Sequence, residues 1–186
     1  MGPWDYGLGA LQGMVVSLAV SRSLNAGAHA GVAEIFLQAA LFGSVSGLIS
    51  LFLLSEIYLR LGASAGGTST RPPVIHVLAY GGTPIAASLG LWLLTALLAG
   101  PATFMKAPPA DADGFVVVLL YVQIAAFTLL SLWSVVLQVM GFSEIEGFKS
   151  RKAFLVWLLG QVLAFLGSIV LLKLISLWVP IDAPAP

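Results

Sequence analysis

The most constraining feature of this chain is an apolar run from Phe115 to Val139 that contains no glycine, proline or charged residue. The hydrocarbon core of a bilayer is about 30 Å thick, and a helix needs roughly 20 apolar residues to cross it. This run reaches that length without interruption. It therefore predicts a straight transmembrane helix over residues 115–140.

Residues 32–61, 74–99 and 153–179 are apolar over a similar length and predict three more spans. Residues 6–20 are apolar but short, and Gln12 interrupts them. We predict a short first span there, with an interfacial helix as the alternative. A signal peptide is disfavoured because no lysine or arginine precedes the apolar residues.

The composition of the chain points to lipid as its solvent. Hydrophobic residues make up 59% of the chain and charged residues 9%, whereas a soluble domain carries about 25% charged residues. So few charged groups cannot cover a surface that faces water. The predicted fold is therefore all-α, a polytopic integral membrane helical bundle. It has about five transmembrane helices in a single domain, residues 1–186.

The charged and reactive side chains exclude several classes of function. Eight basic and eight acidic residues give a net charge of zero, which does not provide the basic surface that nucleic acid binding needs. The absence of cysteine excludes disulfides and thiolate chemistry. The sequence also contains no GxSxG, HExxH or P-loop motif. We predict that the protein is not an enzyme and uses no cofactor, metal or nucleic acid.

The basic residues near the span ends predict the orientation in the membrane. With five spans, five basic residues lie on the N-terminal side of the bilayer and three on the other: Arg60, Arg71, Lys149, Arg151 and Lys152 against Arg22, Lys106 and Lys173. Because basic loops favour the cytoplasmic side, the N-terminus is predicted to be cytoplasmic. If residues 6–20 do not span, the N-terminus moves outside.

Small residues at helical spacing predict close contacts between helices. Gly43 and Gly47 form a GxxxG motif in the second span. Gly160, Ala164 and Gly167 form a similar stripe in the last span. Small side chains let two backbones approach closely in lipid, where no hydrophobic force joins the helices. We predict helix packing at both places.

Two polar features of the middle spans have two possible interpretations. Pro84 predicts a kink in the third span because it lacks a backbone donor, and the fourth span carries a polar stripe of Thr128, Ser131, Ser134 and Gln138. We favour a structural kink and hydrogen bonding between helices. The alternative is a solvated pathway through the bundle, of the kind that broken helices line in transporters.

The segment between the last two spans is the most highly charged. Ser143-x-x-Glu146 has the spacing of a capping box and predicts the start of a short helix, and Ser150 is predicted to cap the last span. We predict that Glu144, Glu146, Lys149 and Lys152 contact a partner or lipid headgroups. The alternative is a simple turn at the membrane surface.

Three short segments resemble the YIP domain, the Ypt/Rab-interacting-protein family of membrane proteins, in its bacterial-type form. Gly66-Gly67 follows the basic end of the second span, and Tyr80 and Pro84 follow in the third. The segment from Gly141 through Lys152-Ala153 resembles the family sequence before the last span. The resemblance implies five spans, a cytoplasmic N-terminus in the bacterial inner membrane, and no enzymatic activity.

These observations favour a non-catalytic integral membrane protein that acts through contacts. It would be a scaffold, a trafficking-type protein or an accessory subunit, with membrane lipids and other membrane subunits as partners. The alternative is a small transporter or channel component, which the kinked third span and the polar stripe of the fourth would support.

Overall fold

The computed structural model describes residues 2–178, with side chains described as far as residue 170. These residues form helices and short connections, without a strand among them. The helices are α1 (Pro3–Ser23), α2 (Val32–Gln38), α3 (Ser44–Ser64), α4 (Arg71–Gly81), α5 (Thr83–Ala99), α6 (Gly114–Glu146) and α7 (Ser150–Trp178). A π-helical turn, Ala39–Gly43, joins α2 to α3, and short 3₁₀ turns lie at Ala26–Ala28 and Gly100–Phe104.

Four helical segments are long and apolar enough to cross a membrane: Val32–Ser64, Arg71–Phe104, Gly114–Glu146 and Ser150–Val170. Most of their large apolar side chains point away from the bundle, as Leu97, Leu129 and Phe165 do. An apolar outer surface of this extent is stable in lipid and not in water. The predicted fold class is therefore confirmed: the chain is an all-α membrane helical bundle.

The shorter N-terminal helix α1 packs along α3 in an antiparallel direction. Its 21 residues extend for about 31 Å at 1.5 Å per residue. Gly9 lies against Leu51, and Gly13 lies against Gly43 and Gly47. An interfacial helix would meet the other helices at one level only, whereas α1 follows α3 through successive turns. This packing favours the short first span over the interfacial helix.

The chain alternates between two ends of the bundle. The first, here called the N-terminal end, contains the start of α1, the turn at residues 65–70 and the turn at residues 147–149. The opposite end contains residues 24–31 and 100–113. At this opposite end, the backbone N–H of Lys106 donates to Asn25 Oδ1 at 3.1 Å.

The predicted basic residues follow the same division. Five basic residues lie at or next to the N-terminal end and two at the opposite end: Arg60, Arg71, Lys149, Arg151 and Lys152 against Arg22 and Lys106. Lys173 belongs to the part of α7 whose side chains lie outside the described residues.

The connection between α6 and α7 differs from the prediction. Helix α6 continues through Ser143 to Glu146 and ends at Gly147, whose φ of 65° is left-handed. The Ser143 hydroxyl donates to the Phe148 carbonyl at 2.6 Å, closing the turn. The predicted start of a helix at Ser143 is therefore wrong, because a local capping pattern does not end a helix that is still in progress. Ser150 is the first residue of α7, not its cap.

Candidate functional site

The closest helix contact joins α1 to α3 through glycines. A Cβ atom on Gly13 would overlap the Gly43 carbonyl oxygen, and one on Gly43 would lie 2.8 Å from Ser17 Cβ. A Cβ on Gly47 would overlap Gly9 in the same way. The predicted GxxxG residues therefore lie at a contact that only glycine permits. Their counterparts in α1, Gly9 and Gly13, have the same four-residue spacing, a signal for this contact that was not predicted.

The third span is broken at Gly82, between α4 and α5, two residues before Pro84. A break inside a bilayer leaves backbone carbonyls without their helical donors. Here Gln12 Nε2 donates to the Ala79 carbonyl at 2.7 Å, and Ser134 Oγ donates to the Gly81 carbonyl at 2.7 Å. The Thr83 hydroxyl donates to the Tyr80 carbonyl. Side chains from α1, α5 and α6 thus satisfy the broken segment.

The rest of the polar stripe on α6 is also hydrogen-bonded. Thr128 and Ser131 each donate to the carbonyl four residues earlier in their own helix, at 2.8 Å. Gln138 Oε1 accepts from Trp157 Nε1 of α7 at 2.8 Å. The predicted hydrogen bonding between helices therefore holds for Ser134 and Gln138, whereas Thr128 and Ser131 bond within α6.

A small cavity of about 170 Å³ lies beside the break in the third span. Its polar lining comes from Gln12 of α1, Ser46 and Ser50 of α3, and Gln138 of α6. These are groups that could bind water or a small polar solute at membrane depth. The cavity, together with the break beside it, favours the transport alternative.

At the N-terminal end, the turn at residues 65–70 is held by Glu146 from the end of α6. The Glu146 side chain is 8% exposed, and its carboxylate accepts from the Ser69 hydroxyl and from the Ser69 backbone N–H, the latter at 3.3 Å. A Cβ on Gly62 or Gly67 would overlap this carboxylate. Gly66, at φ 83°, supplies the left-handed conformation that the turn requires.

Lys152 holds the same turn from the start of α7. Its ammonium donates to the Ala65 carbonyl and lies 4.2 Å from the centroid of the Phe148 ring. Because Glu146 and Lys152 approach from different helices, the two turns of the N-terminal end form one connected unit.

The four charged residues predicted to contact a partner therefore divide into two groups. Glu144 and Lys149 are exposed to the surroundings of the protein. Lys152 is exposed but also bound within the chain. Glu146 is buried against the turn at residues 65–70, so the expectation that it faces a partner does not fit its position.

Of the remaining predicted residues, Gly160 and Gly141 lie in helix contacts, whereas Ala164 and Gly167 do not pack against another helix as predicted, because they face a groove. A Cβ on Gly160 would lie 2.6 Å from Tyr58 Cζ, and one on Gly141 would lie 2.8 Å from Val77 Cγ1. Ala164 lines a groove between α3 and α7. Pro84 is buried at the start of α5.

An Asp–His pair was not foreseen from the sequence. Asp5, only 3% exposed, lies at the start of α1 with Oδ1 3.0 Å from His76 Nδ1 in α4, and it also accepts from the Gly2 backbone N–H at 2.9 Å. The predicted family residue Tyr80 stacks on His76 with ring centroids 4.2 Å apart. The pair fixes the N-terminus of α1 to the bundle. No pattern in the sequence signals it, because 71 positions separate its members.

The Glu56 carboxylate, also near the N-terminal end, forms ion pairs with two arginines. Glu56 Oε1 lies 2.9 Å from Arg60 Nε, and Glu56 Oε2 lies 2.5 Å from Arg71 Nη2. Among residues 2–170, no group of three metal-ligating side chains could hold a metal ion.

Comparison of the chain with protein-family models, with curated proteins and with solved structures finds no match. The function is therefore inferred from the contacts of the chain itself.

Proposed function

We propose that this protein is a non-catalytic membrane protein that acts through contacts, as a scaffold, a trafficking-type protein or an accessory subunit of a membrane assembly. The observation that carries the proposal is the connected unit at the N-terminal end, which displays Glu144, Lys149 and Lys152 outward. Its partners would be other membrane protein subunits and the headgroups of membrane lipids.

The support comes from how firmly this surface is built. Glu146 and Lys152 bind the turn at residues 65–70, and Asp5 binds the start of α1 to His76 in α4. A surface that is ordered before binding loses less conformational entropy when a partner docks. Exposed charges on such a surface set the specificity and rate of association more than its affinity.

The resemblance to the YIP family belongs to the same proposal. Two of its three segments come together, since Gly66 and Gly67 lie in the turn that Glu146 and Lys152 hold. Gly141, in the third segment, packs against Val77 in α4. We propose a bacterial-type member in the inner membrane with its N-terminal end in the cytoplasm, an orientation that the basic residues of that end support.

The second candidate function is transport of a small solute, which the cavity beside Gly82 favours. Against it, the carbonyls at the break accept hydrogen bonds from Gln12, Thr83 and Ser134. A substrate would have to compete with these internal contacts. The break is therefore better explained as part of the packing.

Charge reversal at exposed positions tests the proposal. The double variant Glu144→Lys and Lys149→Glu keeps the net charge, and within residues 2–170 neither side chain has a hydrogen bond or ion pair. Crosslinking in native membranes, followed by purification in mild detergent, should lose a defined partner in this variant. Lys106→Glu, at the opposite end, should retain that partner. Retention by both variants, or a lone protein that accumulates a solute in vesicles, would refute the contact function.

A further inference from the structure

A groove of about 590 Å³ runs between α3 and α7 on the lipid-facing side of the bundle. Leu53 and Ile57 of α3 and Leu163 of α7 give it apolar walls, and Ser50 lies at its deeper end. Glu56 and Arg60 line its end toward the interface. Gln161 and Ser168 of α7 also line the groove, which therefore has a mainly apolar body and one charged end.

The groove arises from a change in side-chain size along α7. At Gly160, α7 lies directly against the Tyr58 ring, and the Tyr58 hydroxyl donates to the Trp157 carbonyl at 3.0 Å. Further along α7, Ala164 and Gly167 face the gap with too little volume to fill it. A gap of this kind within the bilayer is occupied by something apolar, since packing in membranes depends on van der Waals contact.

The charged end carries a net positive charge. Arg60 and Arg71 both bind the Glu56 carboxylate, each through one nitrogen, so two cations and one anion leave a charge of +1. A guanidinium has five N–H donors in a planar fork, and each arginine therefore retains donors that Glu56 does not use. Such donors match the oxygens of a phosphate group.

The arrangement of charge favours a lipid as the occupant. From Arg60 to Ser50 the groove extends about 15 Å along α3, with its charged groups toward the interface and its apolar walls deeper in the bilayer. An anionic phospholipid has the same arrangement, with a negative headgroup at the interface and acyl chains beneath it. A helix of a partner subunit would use the apolar walls but would have no need of the two arginines.

We propose that this groove binds one anionic phospholipid, with its phosphate on Arg60 and Arg71 and one acyl chain along Leu53, Ile57 and Leu163. The charge at the end of the groove balances the single negative charge of a phosphodiester. The volume lies within the range of about 300–1,000 Å³ that is usual for small-molecule sites. The site lies between α3 and α7, apart from the exposed charges of the proposed contact surface.

Native mass spectrometry of the purified full chain tests this site with two probes, phosphatidylglycerol and phosphatidylcholine. One phosphatidylglycerol molecule should stay bound at collision energies that strip phosphatidylcholine. Replacing Arg60→Gln and Arg71→Gln should weaken retention about fivefold for each arginine. Arg151→Gln, an exposed arginine outside the groove, should leave retention unchanged. Equal retention of both lipids, or no effect of the two groove arginines, would overturn the proposal.

A second variant tests the apolar part of the groove independently of charge. Ala164→Phe should fill the gap and abolish retention, whereas Ala125→Phe, at an exposed alanine of α6, should not. Circular dichroism and the melting temperature establish that both variants are folded. Undiminished lipid binding by folded Ala164→Phe would overturn the proposal. If Ala164→Phe instead loses a second copy of the chain or a partner subunit, and no lipid, the groove binds a helix and the proposal is overturned.

Discussion

The two ends of the bundle satisfy their buried polar groups to very different degrees. At the N-terminal end, the buried Asp5 and Glu146 each bind a group from another part of the chain. Toward the opposite end, three buried side-chain donors have no hydrogen-bond partner within residues 2–170: Trp92 Nε1, Thr103 Oγ1 and Gln123 Nε2. The unpartnered buried donors among the described residues therefore lie toward the opposite end, where the buried hydroxyls of Ser88 and Thr95 are satisfied only within their own helix.

At the opposite end, aromatic packing accompanies two polar contacts between segments, Lys106 N–H to Asn25 Oδ1 and Arg22 Nη1 to Gln123 Oε1. Trp92 stacks on Phe104 with centroids 5.7 Å apart, and Phe36 meets Phe104 edge-on at 5.8 Å. An unpaired buried polar group costs about 1–3 kcal/mol. These groups therefore lower the contribution of the opposite end to the free energy of unfolding. This difference is what the proposed contact function requires, since a contact surface at the N-terminal end would be ordered before binding.

The largest expected effect comes from the contact that joins both ends, between α1 and α3. Gly47→Leu would force its side chain into the Gly9 and Gly13 backbone, and separation of the helices should cost more than overpacking in an ordinary core, about 1–3 kcal/mol. Thermal unfolding in detergent measures the loss. Gly90→Leu is the matched control because a Cβ there meets nothing within 4 Å. Equal melting temperatures for the two variants would show that α1 does not depend on this contact.

The next largest effect is expected from a substitution that removes a contact at the N-terminal end alone. Glu146→Ala removes the acceptor of the Ser69 backbone N–H and hydroxyl and should cost about 2 kcal/mol, the usual penalty for leaving buried donors unpaired. Glu144→Ala, two residues earlier and exposed, should change stability by less than about 0.5 kcal/mol. Chemical denaturation compares the two. If both variants lose the same amount, the turn is not held as described.

At the opposite end, removing a buried polar group should not lower the stability of the protein. Thr103→Val removes a buried hydroxyl that has no partner at nearly constant volume, so stability should stay the same or rise by about 1 kcal/mol. Thr95→Val is the control, since the buried Thr95 hydroxyl donates to the Leu91 carbonyl at 2.8 Å, and it should not be stabilising. A loss of stability in Thr103→Val would mean that this hydroxyl has a partner, such as water, and would weaken the contrast between the ends.

The sequence predicted features that depend on local pattern and missed those that depend on helix rotation. The spans follow from runs of apolar residues, and the break in the third span follows from Pro84. The pairing of Glu146 with Ser69 joins positions 77 apart, and no periodicity within a helix reveals which side chains of separate helices meet. The misinterpreted capping pattern at Ser143 shows the converse error, since a local signal cannot report that α6 has not yet ended.

The last prediction uses substitutions that should change stability least, and it tests whether the two ends face different sides of the membrane. The chain has no cysteine, so single cysteines can be labelled without removing others. Thr68→Cys and Ser150→Cys lie at exposed positions of the N-terminal end, and Ala110→Cys lies at an exposed position of the opposite end. A membrane-impermeant thiol reagent added to sealed inverted vesicles should label the first two and not the third, if the basic end is cytoplasmic. Right-side-out vesicles should give the reverse pattern. Labelling of Thr68→Cys and Ser150→Cys from different sides would separate two turns that Glu146 and Lys152 hold together, and would refute the connected unit on which the contact function depends.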